Sequence, residues 1–228
     1  MIGILAGMGP MSTGPFIDKV MMQCQQLYGA MEDMDFPEVM IYSCPTPYYT
    51  NKPINHNDME KAIIAGAKRL EKTGVDFIAM PCNTGHLYIH NIKQQLTIPI
   101  LHIVEETMKA IPKEAKKVAV LATQTTVDSC LYDEYLQEVE HIQKNEWQVA
   151  INELLAMIKA GKIVEATRVW NSLYKELKAT VDVCIVACTD LNVVIDVEAE
   201  KDFFVDSSTC LAQATVREYI VRNNVQVR

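Results

Sequence analysis

No stretch of this chain approaches the roughly eighteen consecutive apolar residues that a membrane span requires, and no basic segment precedes an apolar run at its start. Met1-Ile-Gly-Ile-Leu-Ala-Gly reads directly as a strand, so a cytoplasmic location is expected and a membrane partner is not. Lys and Arg are scattered, and the formal charge of -8 leaves no general attraction for phosphate backbones, which excludes nucleic acid as an expected partner. A disulfide framework is also missing. Seven cysteines (Cys24, Cys44, Cys82, Cys130, Cys184, Cys188 and Cys210) are an odd number in a large acidic chain, which points to reduced thiols. Compact zinc-type spacing is absent as well: Cys82, His86 and His90 can be drawn on one helix face, but Cys184, four residues before Cys188, falls inside a strand, and no metal is expected.

What is present is an ordinary globular mixture, 49% hydrophobic and 22% charged over 228 residues, enough for one large domain or two small ones. Short apolar runs alternate with amphipathic stretches, the pattern of mostly parallel sheets covered by helices. Strands are predicted over 2–6, 39–43, 76–80, 100–103, 117–122, 181–187 and 203–205. Helices are predicted over 13–28, 57–73, 85–95, 127–140, 147–160, 163–177 and 208–222. A second series of elements begins near Ile100, with no low-complexity linker before it. The expected architecture is therefore α/β with two lobes: residues 1–103, joined by the returning C-terminal helix 208–228, and residues 104–207, with a cleft between them.

A faint internal echo carries the chemistry. Asp76-Phe-Ile-Ala-Met-Pro-Cys82-Asn-Thr and Asp182-Val-Cys-Ile-Val-Ala-Cys188-Thr-Asp each read as aspartate, buried strand, then cysteine followed by small polar residues. In an open parallel sheet, ligands bind beyond the carboxyl ends of strands, where both cysteines fall. A thiolate there has unpaired backbone N–H groups and the positive end of the next helix nearby. Asn83 and Thr84 are candidates to cap that helix or to hold a carboxylate. Two thiols suit one reaction in particular. Inverting an α-carbon requires a base on one face and an acid on the other, and a thiolate and a thiol can exchange those parts near neutral pH without a cofactor. Donors around the substrate carboxylate, for which Asn83, Thr84 and Thr189 are candidates, would stabilise the carbanion.

The segments Ala79-Met-Pro-Cys82-Asn-Thr-Gly-His and Val186-Ala-Cys188-Thr-Asp-Leu-Asn-Val-Val resemble the two signature cysteine segments of the aspartate/glutamate racemase family. The likeness continues in Gly3-Ile-Leu-Ala-Gly-Met-Gly-Pro, Ile98-Pro-Ile-Leu-His-Ile-Val-Glu-Glu, Leu121-Ala-Thr-Gln-Thr-Thr and Ile158-Lys-Ala-Gly, and it is nearest to the aspartate racemase branch. The resemblance implies two Rossmann-like lobes related by a pseudo-twofold, an active site in the cleft between them, neither pyridoxal phosphate nor metal, and a homodimer acting on a small-molecule amino-acid substrate, with aspartate the first expectation and glutamate or a broader range the alternatives. It implies Cys82 and Cys188 as the catalytic pair. It also implies Met8, Asn83, Thr84, Thr123, Lys159 and Thr189 as substrate contacts.

One departure bears on substrate choice. Where aspartate racemases carry an arginine for a substrate carboxylate, this chain has Cys44-Pro-Thr-Pro-Tyr-Tyr49-Thr50, one residue shorter, with Tyr49 in the arginine's place. A phenol can donate to a carboxylate but brings no positive charge. Asp190 stands where the family often has glutamate, and Gly85 where it has alanine or another small residue. Two other functions remain open at this point: a decarboxylase or cis-trans isomerase on the same fold, and a binding protein that has lost catalysis. Gly7-Met-Gly9-Pro, with its third glycine misplaced for a dinucleotide fingerprint, reads as a tight turn after the first strand. His86 is expected to border the cleft or cap its helix, and His102 to be a buried, hydrogen-bonded histidine.

Overall fold

A computed structural model describes residues 1–49 and 52–226. The chain forms two compact units, one made of Met1–Ile103 together with the segment from Ser208 onward, the other of Val104–Ser207.

The first unit is built on β1 (Ile2–Ala6), β2 (Val39–Ser43) and β3 (Phe77–Ala79), all parallel, in the order β2-β1-β3. Every residue of β1 is buried, as a central parallel strand covered on both faces requires. Helix α1 (Thr13–Tyr28) follows β1 and ends on Gly29, a left-handed residue whose N–H closes onto the Cys24 and Gln25 carbonyls. Between β2 and β3 runs α2 (His56–Glu71), started by Asn55, whose side chain accepts from the Asp58 N–H. Its Met59, Ile63, Ala67 and Leu70 recur at helical spacing and are buried in the same cluster as Leu5 and Ile78. After β3 come a 3-10 turn over Thr84–Tyr88 and α3 (Ile89–Gln95).

The second unit begins with α4 (Ile103–Met108) at its border, followed by β4 (Lys117–Leu121), α5 (Gln124–Asp128), β5 (Glu140–His141), α6 (Asn145–Lys159), α7 (Ile163–Thr180), β6 (Val183–Val186) and β7 (Phe204–Asp206). Its four strands are again all parallel, in the order β5-β4-β6-β7. Trp147, Leu154, Trp170, Leu173 and Leu177 from α6 and α7 pack on Ala119, Leu121, Cys184 and Val186 of the sheet. Helix α8 (Ser207–Asn223) closes the chain and belongs to the first unit, where Lys19 Nζ donates to Ser208 Oγ at 2.8 Å and the Tyr28 and Tyr219 rings meet.

The α/β class with parallel sheets is thus as expected, and three sequence readings need correction. Ile100–Ile103 is not a strand: only Ile100 makes a bridge, to Ile78, and the chain turns helical at Ile103. The short apolar run could not distinguish the two, and Glu105 and Glu106 in the first turn favour a helix start. The helix expected over 127–140 is instead the short α5, a 3-10 turn at Asp133–Tyr135 and the edge strand β5. The break falls at Cys130, which sits at a φ of 54° that a continuing right-handed helix does not allow. Asn83 makes no side-chain cap bond to the turn it precedes.

Candidate active site

Sheet order explains where the cysteines fall. In the first unit the chain leaves β1 for β2 on one side and then for β3 on the other, so the topological switch point lies between the carboxyl ends of β1 and β3. Gly7-Met8 follows β1 and Cys82 follows β3, so the two segments flank that crevice. In the second unit the switch point lies between β4 and β6, flanked by Thr123 and Cys188. Each unit therefore presents a cysteine at the same topological position.

Around Cys82 the backbone is held tightly. The Cys82 N–H donates to the Met80 carbonyl at 2.8 Å, and the Gly85 N–H donates to the Cys82 sulfur at 3.3 Å, offering a donor to negative charge on that atom. A Cβ on Gly85 would come within 3.5 Å of the same sulfur and 3.3 Å of the Met80 side chain, so the family's small residue fits with a slight shift of Met80. Cys82 is 8% exposed, and Met8 and Tyr48 pack against the cluster that contains it and Cys44. Gly7, at φ +90°, lets the chain turn out of β1 against the Cys44 backbone, 2.6 Å from where a Cβ would stand, and its N–H donates to Thr13 Oγ1. Asn83 and Thr84 are buried beside Cys82.

His86 satisfies a helix end, but that of α4 and not of the turn it stands in. It is buried, and its ring ties the Cys82 turn after β3 to the start of α4. Nδ1 lies 2.8 Å from the Cys82 carbonyl, and Nε2 receives the Ile103 N–H at 3.1 Å. An acceptor at Nε2 puts the proton on Nδ1, so His86 donates to Cys82; the Leu101 carbonyl, 3.2 Å from Nε2, is then a neighbour and not a partner. Burial holds the imidazole neutral, lowered to about 4, with the nearby His102 ring in the same direction. The spacing Cys82-x-x-x-His86 was visible in the sequence, but its meaning depends on Ile103, seventeen residues further on.

Tyr49 is 57% exposed, with Lys52 Nζ 5.1 Å from its ring centroid. The loop thus carries a cation three residues after Tyr49. Thr50 of that loop lies outside the described residues.

In the second unit Cys188 is half-buried and opens a 3-10 turn over Thr189–Val193. Thr123 is the N-cap of α5, its hydroxyl accepting from the Thr126 N–H. Lys159 ends α6, which packs against the Thr189–Val193 turn. Asp190, passed over as a site residue in the sequence, is buried; burial raises its carboxyl above the usual range, and the charge of Lys159 opposes the rise. Lys159 and Asp190 are thus an electrostatic pair one residue beyond Thr189.

The remaining cysteines separate by environment. Burial raises the thiols of Cys24, Cys44 and Cys184. Cys130 is exposed, but its bond to the Asp133 carboxylate raises it too, and Asp133 also pairs with His141 Nδ1 at 3.1 Å. Because alkylation proceeds through the thiolate, iodoacetamide at neutral pH is expected to label Cys82 or Cys188 before these four. Asp133→Asn should speed labelling at Cys130 several-fold. Peptide mapping over a time course checks both, and Cys130 reacting fastest in the native chain would contradict the assignment.

Two parallel α/β sheets, each with a cysteine turn at its switch point, define the class of this protein, and the comparison with known proteins supplies the family. The chain belongs to the Asp/Glu/hydantoin racemase family, whose model matches residues 5–215. It is 55% identical over 225 residues to the broad specificity amino-acid racemase RacX of Bacillus subtilis strain 168, covering 96% of this chain and 98% of that one. Among solved structures it resembles the Picrophilus torridus aspartate racemase, at 26% identity and a TM-score of 0.81, covering 95% of this chain and 93% of that one. The glutamate racemase of Francisella tularensis, in complex with D-glutamate, superposes with a TM-score of 0.70 over 99% of this chain and 82% of that one; at 15% identity this likeness speaks for the fold alone. Among the described residues, no helix is long and apolar enough to cross a membrane.

Proposed function

We propose that this chain is a broad-specificity amino-acid racemase that needs neither pyridoxal phosphate nor metal, with Cys82 and Cys188 as its two acid–base groups. The observation that carries the reading is the repetition of a cysteine turn at the switch point of each sheet. One thiolate removes the α-proton, the electron pair left on carbon delocalises into the substrate carboxylate, and the other thiol returns a proton to the opposite face. The enzyme is left with its protonation reversed, ready for the opposite enantiomer. Asn83, Thr84 and Thr189 are proposed to hold the carboxylate as charge grows on it. Met8 and Thr123 are proposed to border the substrate at the two switch points, and Lys159, held beside Asp190, to supply positive charge.

Breadth of substrate follows from the Tyr49 loop. A fixed guanidinium would favour an acidic side chain, whereas a solvent-exposed phenol with a flexible lysine over it imposes no such charge requirement. Aspartate is proposed as one substrate among several. Incubating the chain with a panel of L-amino acids in deuterated water, with chelator present and pyridoxal phosphate stripped, should give D-product carrying α-deuterium for aspartate, glutamate and several neutral or basic amino acids. Restriction to aspartate would overturn the breadth. Dependence on an added cofactor, or release of carbon dioxide without inversion, would overturn the racemase reading.

A further inference from the structure

On the racemase reading, and resting on it, we propose that Asp190 is the receptor for the substrate's α-ammonium group. Asn83, Thr84 and Thr189 are proposed as donors to the carboxylate, which leaves the positive charge beside every α-carbon without an acceptor. The second unit holds one two residues past Cys188.

The turn fixes a side chain at this place. β4 and β6 stay paired as far as the Ala187 N–H, which donates to the Leu121 carbonyl at 2.9 Å. Cys188 is still extended, and the Leu191 N–H then closes onto the Cys188 carbonyl at 3.0 Å. Leu191, wholly buried, lies in one core cluster with Leu154, Leu155 and Ile158 of α6, which anchors the far end of the turn. Asp190 stands between the sheet and that anchor. Its position is set by backbone and core, and by no bond of its own side chain.

That carboxylate is an exception in the second unit. Asp190 is nine-tenths buried, yet among the described residues no group donates a hydrogen bond to it. By contrast, Asp182 accepts from the Lys116 and Lys117 N–H groups, each at 2.9 Å, and Asp206 from Asn192 Nδ2 at 3.1 Å. Buried carboxylates are ordinarily paired or hydrogen-bonded, because a charge taken out of water without a donor is costly. Lys159, at the end of α6, acts on Asp190 by charge alone, opposing the rise that burial gives its carboxyl. Nor is Asp190 sealed in: among the described residues, the enclosed side-chain atoms that lack a partner are His141 Nε2 and Asn192 Oδ1. A carboxylate so placed is open to a donor from outside the chain.

Charge and distance select the α-ammonium as that donor. A substrate carboxylate is repelled, whereas an ammonium brings three N–H donors and a full positive charge, and such charge-assisted bonds are about twice as strong as neutral ones. The α-ammonium is one bond from the carbon whose proton Cys188 transfers, and Asp190 shares one tight turn with Cys188. A basic side chain carries its charge several bonds further away. Every amino acid has an α-ammonium, so a receptor for it leaves the substrate range wide. Held by Asp190, the nitrogen keeps its proton, and positive charge beside the α-carbon stabilises the carbanion.

Ligands that cannot be racemised test the receptor without turnover. 2-Methylaspartate and 2-aminoisobutyrate have no α-proton, and 2-methylsuccinate and isobutyrate are the same molecules with hydrogen in place of the ammonium. Isothermal titration calorimetry with the full native chain should show the ammonium ligand of a pair bound more tightly than its counterpart. Asp190→Asn, isosteric but neutral, should weaken the ammonium ligand by about tenfold to a hundredfold. It should leave the counterpart unchanged or bound more tightly, because a repelling charge is gone, and Asp190→Glu should keep part of the native preference. Asp190→Ser gives the same comparison should the amide fail to fold. An equal fall for both ligands, no preference for the ammonium in the native chain, or a preference untouched by Asp190→Asn would overturn the receptor. Racemisation assays separate this from the reading beneath it: a native chain that inverts amino acids while Asp190→Asn keeps the preference loses the receptor alone. A native chain that inverts none loses the racemase reading and, with it, this role for Asp190.

Discussion

Replacing Cys82 or Cys188 with serine should lower racemisation of every accepted amino acid by roughly three orders of magnitude or more, since a positioned acid–base group contributes on the order of 10²–10⁴ and serine is a far weaker base than thiolate. The two variants should differ in what they retain. Each keeps one thiol, which can still remove the proton on its own face, so each should exchange the α-proton of a single enantiomer with solvent, and the two should favour opposite enantiomers. Proton NMR of D- and L-substrate in deuterated water reads exchange directly, while chiral chromatography reads inversion. A serine variant that racemises at the native rate would remove that cysteine from the mechanism. Loss of exchange for both enantiomers in both variants would instead mean that the two thiols do not divide the faces between them.

The second large effect concerns stability and the shape of the site together. His86→Ala strands the Ile103 N–H and the Cys82 carbonyl in a buried environment, and an unsatisfied buried polar group costs about 1–3 kcal/mol. A loss of about 3 kcal/mol, or a melting midpoint lower by roughly 6–12 °C, is expected, with activity falling as the Cys82 turn loosens. pH adds an independent signature. His86 is lowered to about 4 in the folded chain against 6.5 as its ordinary value, so the folded state binds fewer protons across that window. The stability from its neutral form is present above pH 6.5 and is lost as pH falls through about 4, a change of about 3 kcal/mol for a shift of this size. His102, lowered to about 4 mainly by burial, acts in the same direction over the same range. His86→Gln, whose amide can both donate and accept, should retain more stability than His86→Ala and reduce the pH slope by about half. An unchanged slope in both variants would show that acid sensitivity arises elsewhere.

The sequence by itself determined the α/β class, the core strands and the two cysteine turns, because these rest on short-range patterns. The apolar runs Ile2–Ala6 and Val39–Ser43 and the amphipathic period of α1 have the bounds predicted for them, since burial and capping act within a few residues. Where local pattern is ambiguous, tertiary structure decided. Ile100–Ile103 is apolar enough for a strand, yet Ile100 only bridges to Ile78 and Ile103 begins a helix. His86 carries no local sign that its partner is Ile103, and Asp190 none that Lys159, on another helix, would be its charge partner. Most of all, sheet order is a long-range property. That β3 pairs with β1, some seventy-five residues away in register Ile2↔Phe77, and that β6 pairs with β4, is what turns two cysteine motifs into residues at switch points. Alternating elements specify the strands; only the packing of helices onto both faces selects which strand lies beside which.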